Sequence, residues 1–188
     1  MPQIKNLKKA AERILKAIKR KERIILYGDA DLDGISSVII LKETINSLGG
    51  KVSAVYFPDR EIEGYGITEI GLRDLKKHTP ALLIAVDCGI GNFKEVKLAK
   101  KLGFEVIIVE HHEVLDRLPQ AEIIVNPKTM KRCDFNSPEG RDLLNKYMTK
   151  HFQEYLNRTK DDWNYYIITL TMTLMAFVTG FALGWKIR

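Results

Sequence analysis

Between residues 28 and 37 the chain reads Gly-Asp-Ala-Asp-Leu-Asp-Gly-Ile-Ser-Ser, placing carboxylates at Asp29, Asp31 and Asp33. Three acids at alternate positions of a tight loop repel one another, and a bound cation makes such crowding favourable. Gly28 and Gly34 let the backbone turn sharply on either side. The plain structural reading is a helix cap, for which Asp33 or Ser36 would suit. A cap needs one acceptor, however, and three acids exceed that need.

Two further groups have ligand chemistry. The apolar run Ala81–Val86 ends in Asp87-Cys88-Gly89-Ile90-Gly91, and Phe104–Val109 ends in Glu110-His111-His112-Glu113. Adjacent histidines point in different directions, so both can serve one site only from a loop, which a strand end provides. Imidazole beside carboxylates suits Mn²⁺ better than Mg²⁺, which prefers oxygen alone. A lone acid at a strand end, or a His pair, is ordinary surface polarity. Three clusters, each at the end of a strand, point instead to one shared site. A calcium hand does not fit the first loop, because position 12 counted from Asp29 is Ile40 and the loop follows a strand. Asp31-Leu32-Asp33-Gly34 also imitates haloacid-dehalogenase phosphatases, in which the first acid directly follows the strand; here Asp29 intervenes.

The elements that must position these groups follow from the hydropathy pattern. Arg23–Tyr27, Lys51–Phe57, Ala81–Val86, Phe104–Val109 and Glu122–Val125 read as strands. Ser36–Leu48, closed by Gly49-Gly50, Thr68–Lys77, and Phe93–Leu102, capped by Asn92 and ended by Gly103, read as helices. Strands alternating with helices predict right-handed βαβ units. The expected fold is α/β: a doubly wound, mainly parallel five-stranded sheet with helices on both faces, followed by a helical C-terminal segment. In such sheets sites gather at the carboxyl ends of the strands.

At 188 residues the chain has the length of one domain, at about 150 residues per domain. Hydrophobic residues at 45% and charged residues at 29% exclude disorder and collagen-like repeats. Cys88 and Cys133 form neither a CxxC nor a Cys/His zinc spacing, which excludes a disulfide scaffold and suits a reducing cytoplasm. No apolar core beside a cleavage site occurs in the first thirty residues, so no secretory signal is expected.

The net charge of +6 is uneven. Residues 1–22 form a basic lead helix with Lys5, Lys8, Lys9, Arg13, Lys16, Lys19, Arg20 and Lys21. Such a helix can meet a phosphate backbone or be a solvated face, with Ile14, Leu15 and Ile18 packing inward. Beyond the expected core at 23–135, residues 136–188 form a helical extension, with Pro138 opening a helix over Glu139–Leu156. Trp163–Trp185 is an uncharged run of transmembrane length. Its Asn164, threonines and glycines favour a buried helix, or one covered by a protein partner, over a membrane span.

Four stretches together resemble a known family. They are Asp29-x-Asp31-x-Asp33-Gly34, Val86-Asp87-Cys88-Gly89-Ile90, Glu110-His111-His112, and Leu118-Pro119-x-Ala121-Glu122-Ile123-Ile124-Val125-Asn126-Pro127. They resemble the DHH phosphoesterase superfamily over residues 20–135, closest to its RecJ-like single-strand-specific exonucleases. Phe57-Pro58-Asp59-Arg60 with Glu63-Gly64-Tyr65-Gly66 looks like the loop those proteins carry after their second strand. The resemblance implies a two-metal hydrolase, using Mn²⁺ or Mg²⁺, that cuts phosphodiester bonds of single-stranded DNA from the 5′ end. It implies that Asp31 and Asp33 each bind one metal, that Asp87 bridges the two, and that His111 completes the second site. His112 would then donate to the scissile phosphate, with Asp29 and Glu110 supporting the ligands. Arg60 and Tyr65 would contact phosphate and base, although Tyr65 serves equally well to stabilise the turn.

Three departures accompany the match. Glu110 replaces the signature's first Asp, adding one methylene. The fourth metal motif has its nearest counterpart in Leu174–Ala182, with Ala182 at the ligand position. A second, substrate-gripping domain is expected outside these residues. Together they support an alternative expectation: a non-catalytic or impaired binding or scaffold protein built on the DHH core, its site completed by a partner.

Overall fold

The computed structural model describes residues 4–115 and 117–129. Its elements are α1 (Leu7–Lys19), β1 (Ile24–Gly28), α2 (Leu32–Ser47), β2 (Val52–Tyr56), α3 (Glu69–Leu75), β3 (Ala81–Val86), α4 (Phe93–Lys101), β4 (Phe104–Val109) and β5 (Ile123–Val125). The expected helices over Glu139–Leu156 and Trp163–Trp185, and position Ala182, lie outside the described residues. Among the described residues no helix is long and apolar enough to cross a membrane.

All five strands are parallel, in the order β2-β1-β3-β4-β5. β1 and β3 are fully buried along their length. This is why they read as continuous apolar runs rather than as alternating ones. One core layer joins Ile14 of α1 and Leu41 and Ile45 of α2 to Leu26, Ile84 and Val109 of the sheet. The opposite layer joins Leu72 of α3 and Val96 and Ala99 of α4 to Ile25, Leu83 and Ile108. The sheet is therefore doubly wound, as expected.

The lead helix packs as an amphipathic cover. Ile14 and Leu15 are buried and Ile18 is half-buried against the core, while Lys8, Lys9 and Lys16 face solvent. Arg13 reaches across to Glu105 at the start of β4, with Nε–Oε1 at 2.7 Å and Nη2–Oε2 at 2.6 Å, and also binds Glu22 at 2.6 Å.

Two sequence expectations are corrected. α2 begins at Leu32 rather than Ser36, and its N-cap is Asp31, whose side chain accepts the Gly34 amide at 2.9 Å. The Ser36 hydroxyl instead donates back to the Leu32 carbonyl inside the helix. The acidic loop is thus partly a cap, and the helix starts within it. Gly34 is required there, because a Cβ would run into the Asp29 carbonyl. Asn92 occupies the N-cap position of α4 but makes no capping hydrogen bond, its amide being engaged by Ile67.

Candidate metal centre

Strand order determines which loops meet. Chain direction across the sheet reverses between β1 and β3, which are neighbours, and crevices at such reversals bind ligands at the carboxyl ends. The loop after β1 carries Asp29, Asp31 and Asp33; the turn after β3 carries Asp87; the segment after β4 carries Glu110, His111 and His112.

Asp87, His111 and His112 converge, with one ligand atom from each lying within 4.8 Å of the others. His111 Nε2 stands 3.5 Å from Asp87 Oδ1. The two imidazole rings meet edge to face at 5.0 Å. Asp87 has φ 61, a left-handed conformation uncommon outside glycine, although Asp tolerates it better than most residues. It is buried, and that burial pushes its carboxyl up to about 7; Asp31, Asp33 and Asp29 push the same way, while His112 opposes them. A buried acid repelled by three others gains from further positive charge, and divalent cations supply it.

The histidines differ in state. Burial, then the neighbouring charge of His112, holds His111 below the ordinary imidazole range, which favours the neutral form able to ligate. His112 is raised, chiefly by its hydrogen bond to Glu110 at 3.1 Å. Glu110 is itself buried, and its other oxygen accepts the Ile90 amide at 2.8 Å. One carboxylate therefore ties the β3 turn to the orientation of His112.

The acids after β1 stand apart from that trio. Arg60 Nη2 lies 3.0 Å from Asp29 and 2.7 Å from Asp31. Burial alone would raise the Asp31 carboxyl, but the Gly34 amide and Arg60 outweigh it and hold Asp31 below the ordinary range. Asp33, in the first turn of α2, is raised by burial and by repulsion from Asp31. Arg60 lies 4.9 Å above the Tyr65 ring, and Tyr65 is 73% exposed, so its open ring surface remains accessible. All the sequence-selected residues thus gather at one edge of the sheet, but Asp31 and Asp33 do not join the tight group of Asp87 and the histidines.

One supporting residue had no role in the sequence reading. Asn126, fully buried after β5, donates to the His112 carbonyl at 2.8 Å and accepts the Lys128 amide at 2.8 Å. Its signal was available: a polar residue at a strand's carboxyl end, immediately before Pro127.

Comparison with known proteins agrees with this fold. The family model described as "DHH family, N-terminal domain" matches residues 23–173. The chain belongs to the DHH family. The DHH chain is 44% identical over 126 residues to the single-stranded-DNA-specific exonuclease RecJ of Bacillus subtilis, covering 67% of this chain and 16% of that protein. It is 34% identical over 135 residues to RecJ of Escherichia coli, covering 72% of this chain and 23% of that one. The chain thus spans less than a quarter of the length of these relatives. A crystal structure of exonuclease RecJ bound to manganese shares the fold with a TM-score of 0.64 at 23% identity, covering 97% of this chain and 39% of that one. RecJ from Thermus thermophilus in complex with Mn²⁺ aligns with a TM-score of 0.57 at 27% identity, over 70% of this chain and 18% of that one.

Proposed function

We propose that this DHH chain is the metal-binding part of a Mn²⁺- or Mg²⁺-dependent phosphodiesterase acting on single-stranded DNA, of the 5′–3′ exonuclease type. The observation that carries the reading is Asp87. It is a buried carboxyl on left-handed backbone, raised to about 7, facing two histidines and three further acids. Asp87 with the His111 imidazole makes a mixed oxygen and nitrogen donor set, which fits Mn²⁺ better than Mg²⁺. The manganese named in the RecJ structures supports the same choice.

In this reading Asp87 and His111 are ligands at the core of the site, and Asp31 and Asp33 extend it to a second ion. Bound divalent ions would supply activated water and charge neutralisation at the leaving oxygen. The protein's own groups do the rest. His112, its protonated form favoured by the hydrogen bond to Glu110, would donate to the phosphoryl oxygens as charge builds there. Asp29 and Glu110 orient the groups they touch. Arg60, held beside Asp29 and Asp31, would contact the substrate phosphate from that position, and Tyr65 would stack on a base.

The engagement of Asp29 and Asp31 by Arg60 favours a second reading, a one-ion binding or scaffold protein. Calorimetry separates the two: two Mn²⁺ equivalents support the two-metal hydrolase, and one supports the scaffold. The activity itself is tested by Mn²⁺-dependent cleavage of a labelled single-stranded oligonucleotide. Asp87→Ala is expected to abolish it, and equal cleavage by the variant would overturn the assignment.

A further inference from the structure

The loop from β2 to α3 delivers Arg60 and Tyr65 to the acidic cluster, although residues 57–68 contain neither helix nor strand. Two side chains outside the metal centre hold it in place. Glu63 Oε1 accepts the Tyr56 hydroxyl at 2.9 Å and the Asp59 amide at 3.0 Å, and its Oε2 accepts the Thr68 hydroxyl at 2.6 Å. Tyr56 ends β2 and Thr68 caps α3, so both ends of the loop close on one carboxylate. Thr68 is anchored in turn to the buried Tyr27 of β1, whose hydroxyl accepts the Thr68 amide at 3.1 Å.

The second brace is Asn92. Its Oδ1 accepts the Ile67 amide at 3.1 Å and its Nδ2 donates to the Ile67 carbonyl at 3.1 Å. A side-chain amide that satisfies both backbone groups of one residue joins two loops as a strand pair would. Here it joins the Arg60 loop to the turn that follows Asp87. The approach is close enough to require glycine at the adjoining position: Gly66 has φ 76, and a Cβ there would lie 2.5 Å from Asn92 Oδ1. Asn92 thereby gives up the capping bond that its place at the start of α4 offers.

Simple loop closure would explain Glu63 alone. It does not explain why Asn92 leaves its own helix to clamp a segment from another loop, nor why the span between the braces is exposed, with Ile62 at 76% and Tyr65 at 73%. We propose that Glu63 and Asn92 are positioning residues that hold Arg60 and Tyr65 as a preset arm over the metal centre. A single strand then meets a phosphate contact and a stacking ring that need no ordering at binding, which preserves affinity. This inference rests on the reading in which Arg60 and Tyr65 contact nucleic acid.

The test uses the full 188-residue chain, with Glu63→Gln, Asn92→Ala and Arg60→Ala made singly and each brace variant combined with Arg60→Ala. Binding of a fluorescein-labelled oligothymidylate in Ca²⁺ is read by anisotropy, Mn²⁺ uptake by the electron paramagnetic resonance signal of the free ion, and loop order by amide hydrogen exchange over residues 57–68. Each brace variant is expected to weaken oligonucleotide binding about tenfold and to speed loop exchange, with Mn²⁺ uptake no weaker than wild type. Added to Arg60→Ala, each brace variant should cost clearly less than it does alone, since the share acting through Arg60 is already lost and only the Tyr65 contact is left to displace. A purely structural role predicts full additivity, and that result overturns the proposal. Brace variants that bind the oligonucleotide as wild type does overturn it alone. A wild-type chain that takes up Mn²⁺ and binds no oligonucleotide overturns the nucleic-acid reading and this one with it.

Discussion

The two ends of the sheet treat charge in opposite ways. At the amino end Arg13 sits between Glu105 and Glu22, and Arg23 donates to the Thr79 carbonyl at 3.1 Å. Opposite charges there compensate within a few ångströms, and the Glu105 carboxyl is held low, first by its hydrogen bond to Arg13. At the carboxyl end Asp29, Asp31 and Asp33 share one loop and add to the negative charge felt by Asp87, with Arg60 bridging two of them. One end is arranged for stability. The other retains an excess of negative charge that destabilises the metal-free chain, as is expected of a site whose missing partner is a cation.

The largest test of that contrast is Asp87→Asn, which preserves shape and tolerates the left-handed backbone. The raised carboxyl destabilises the metal-free fold as pH climbs from the ordinary carboxylate range through about 7, and the full penalty persists above that. At pH 8 the variant should therefore gain on the order of 2–4 kcal/mol in urea unfolding, with no gain at pH 4. Its Mn²⁺ uptake should be lost. A less stable variant at pH 8 would break the contrast. Next in size is the pH dependence of binding in the unaltered chain. Mn²⁺ must displace the Asp87 proton, so affinity should fall about tenfold per pH unit below 7 and level off above it, read by calorimetry from pH 5.5 to 8.

At the amino end the effects should be smaller and of opposite sign. Arg13→Ala should destabilise by about 1–2 kcal/mol through two unpaired carboxylates, with Mn²⁺ affinity unchanged. A change in metal affinity would show that the two ends are coupled. Glu105→Gln should cost under about 1 kcal/mol at pH 7, because Glu105 is partly exposed. Its carboxyl is depressed in the fold, so its contribution is present above the ordinary glutamate range and is lost as pH falls below it. Wild type and Glu105→Gln should accordingly converge in thermal stability near pH 3.

Much of this was legible before any coordinates. Ala81–Val86 and Phe104–Val109 are strands with the bounds their apolar runs suggested, because both are buried along nearly their whole length, Glu105 alone interrupting the second and pairing there with Arg13. The start of α2 was misplaced because Asp31, Asp33 and Ser36 are all competent caps, and the Asp29 carbonyl beside Gly34 decides among them. Asn92 holds the expected N-cap position but not the capping bond, because its partner, Ile67, is distant in sequence. Asn126 and Glu63 were visible as polar residues beside strand and loop ends, but their pairings with the His112 carbonyl and with the Tyr56 and Thr68 hydroxyls are set by the fold.

The sequence alone determined which side chains could hold a cation and that each follows a strand, since residue type and hydropathy are local properties. Only the tertiary structure decided their grouping. The order β2-β1-β3-β4-β5 sets the first acidic loop beside the Asp87 turn. Packing then separates Asp31, held by Arg60, from the trio of Asp87, His111 and His112. The physical reason is that burial and charge compensation depend on neighbours far along the chain, which only folding brings together.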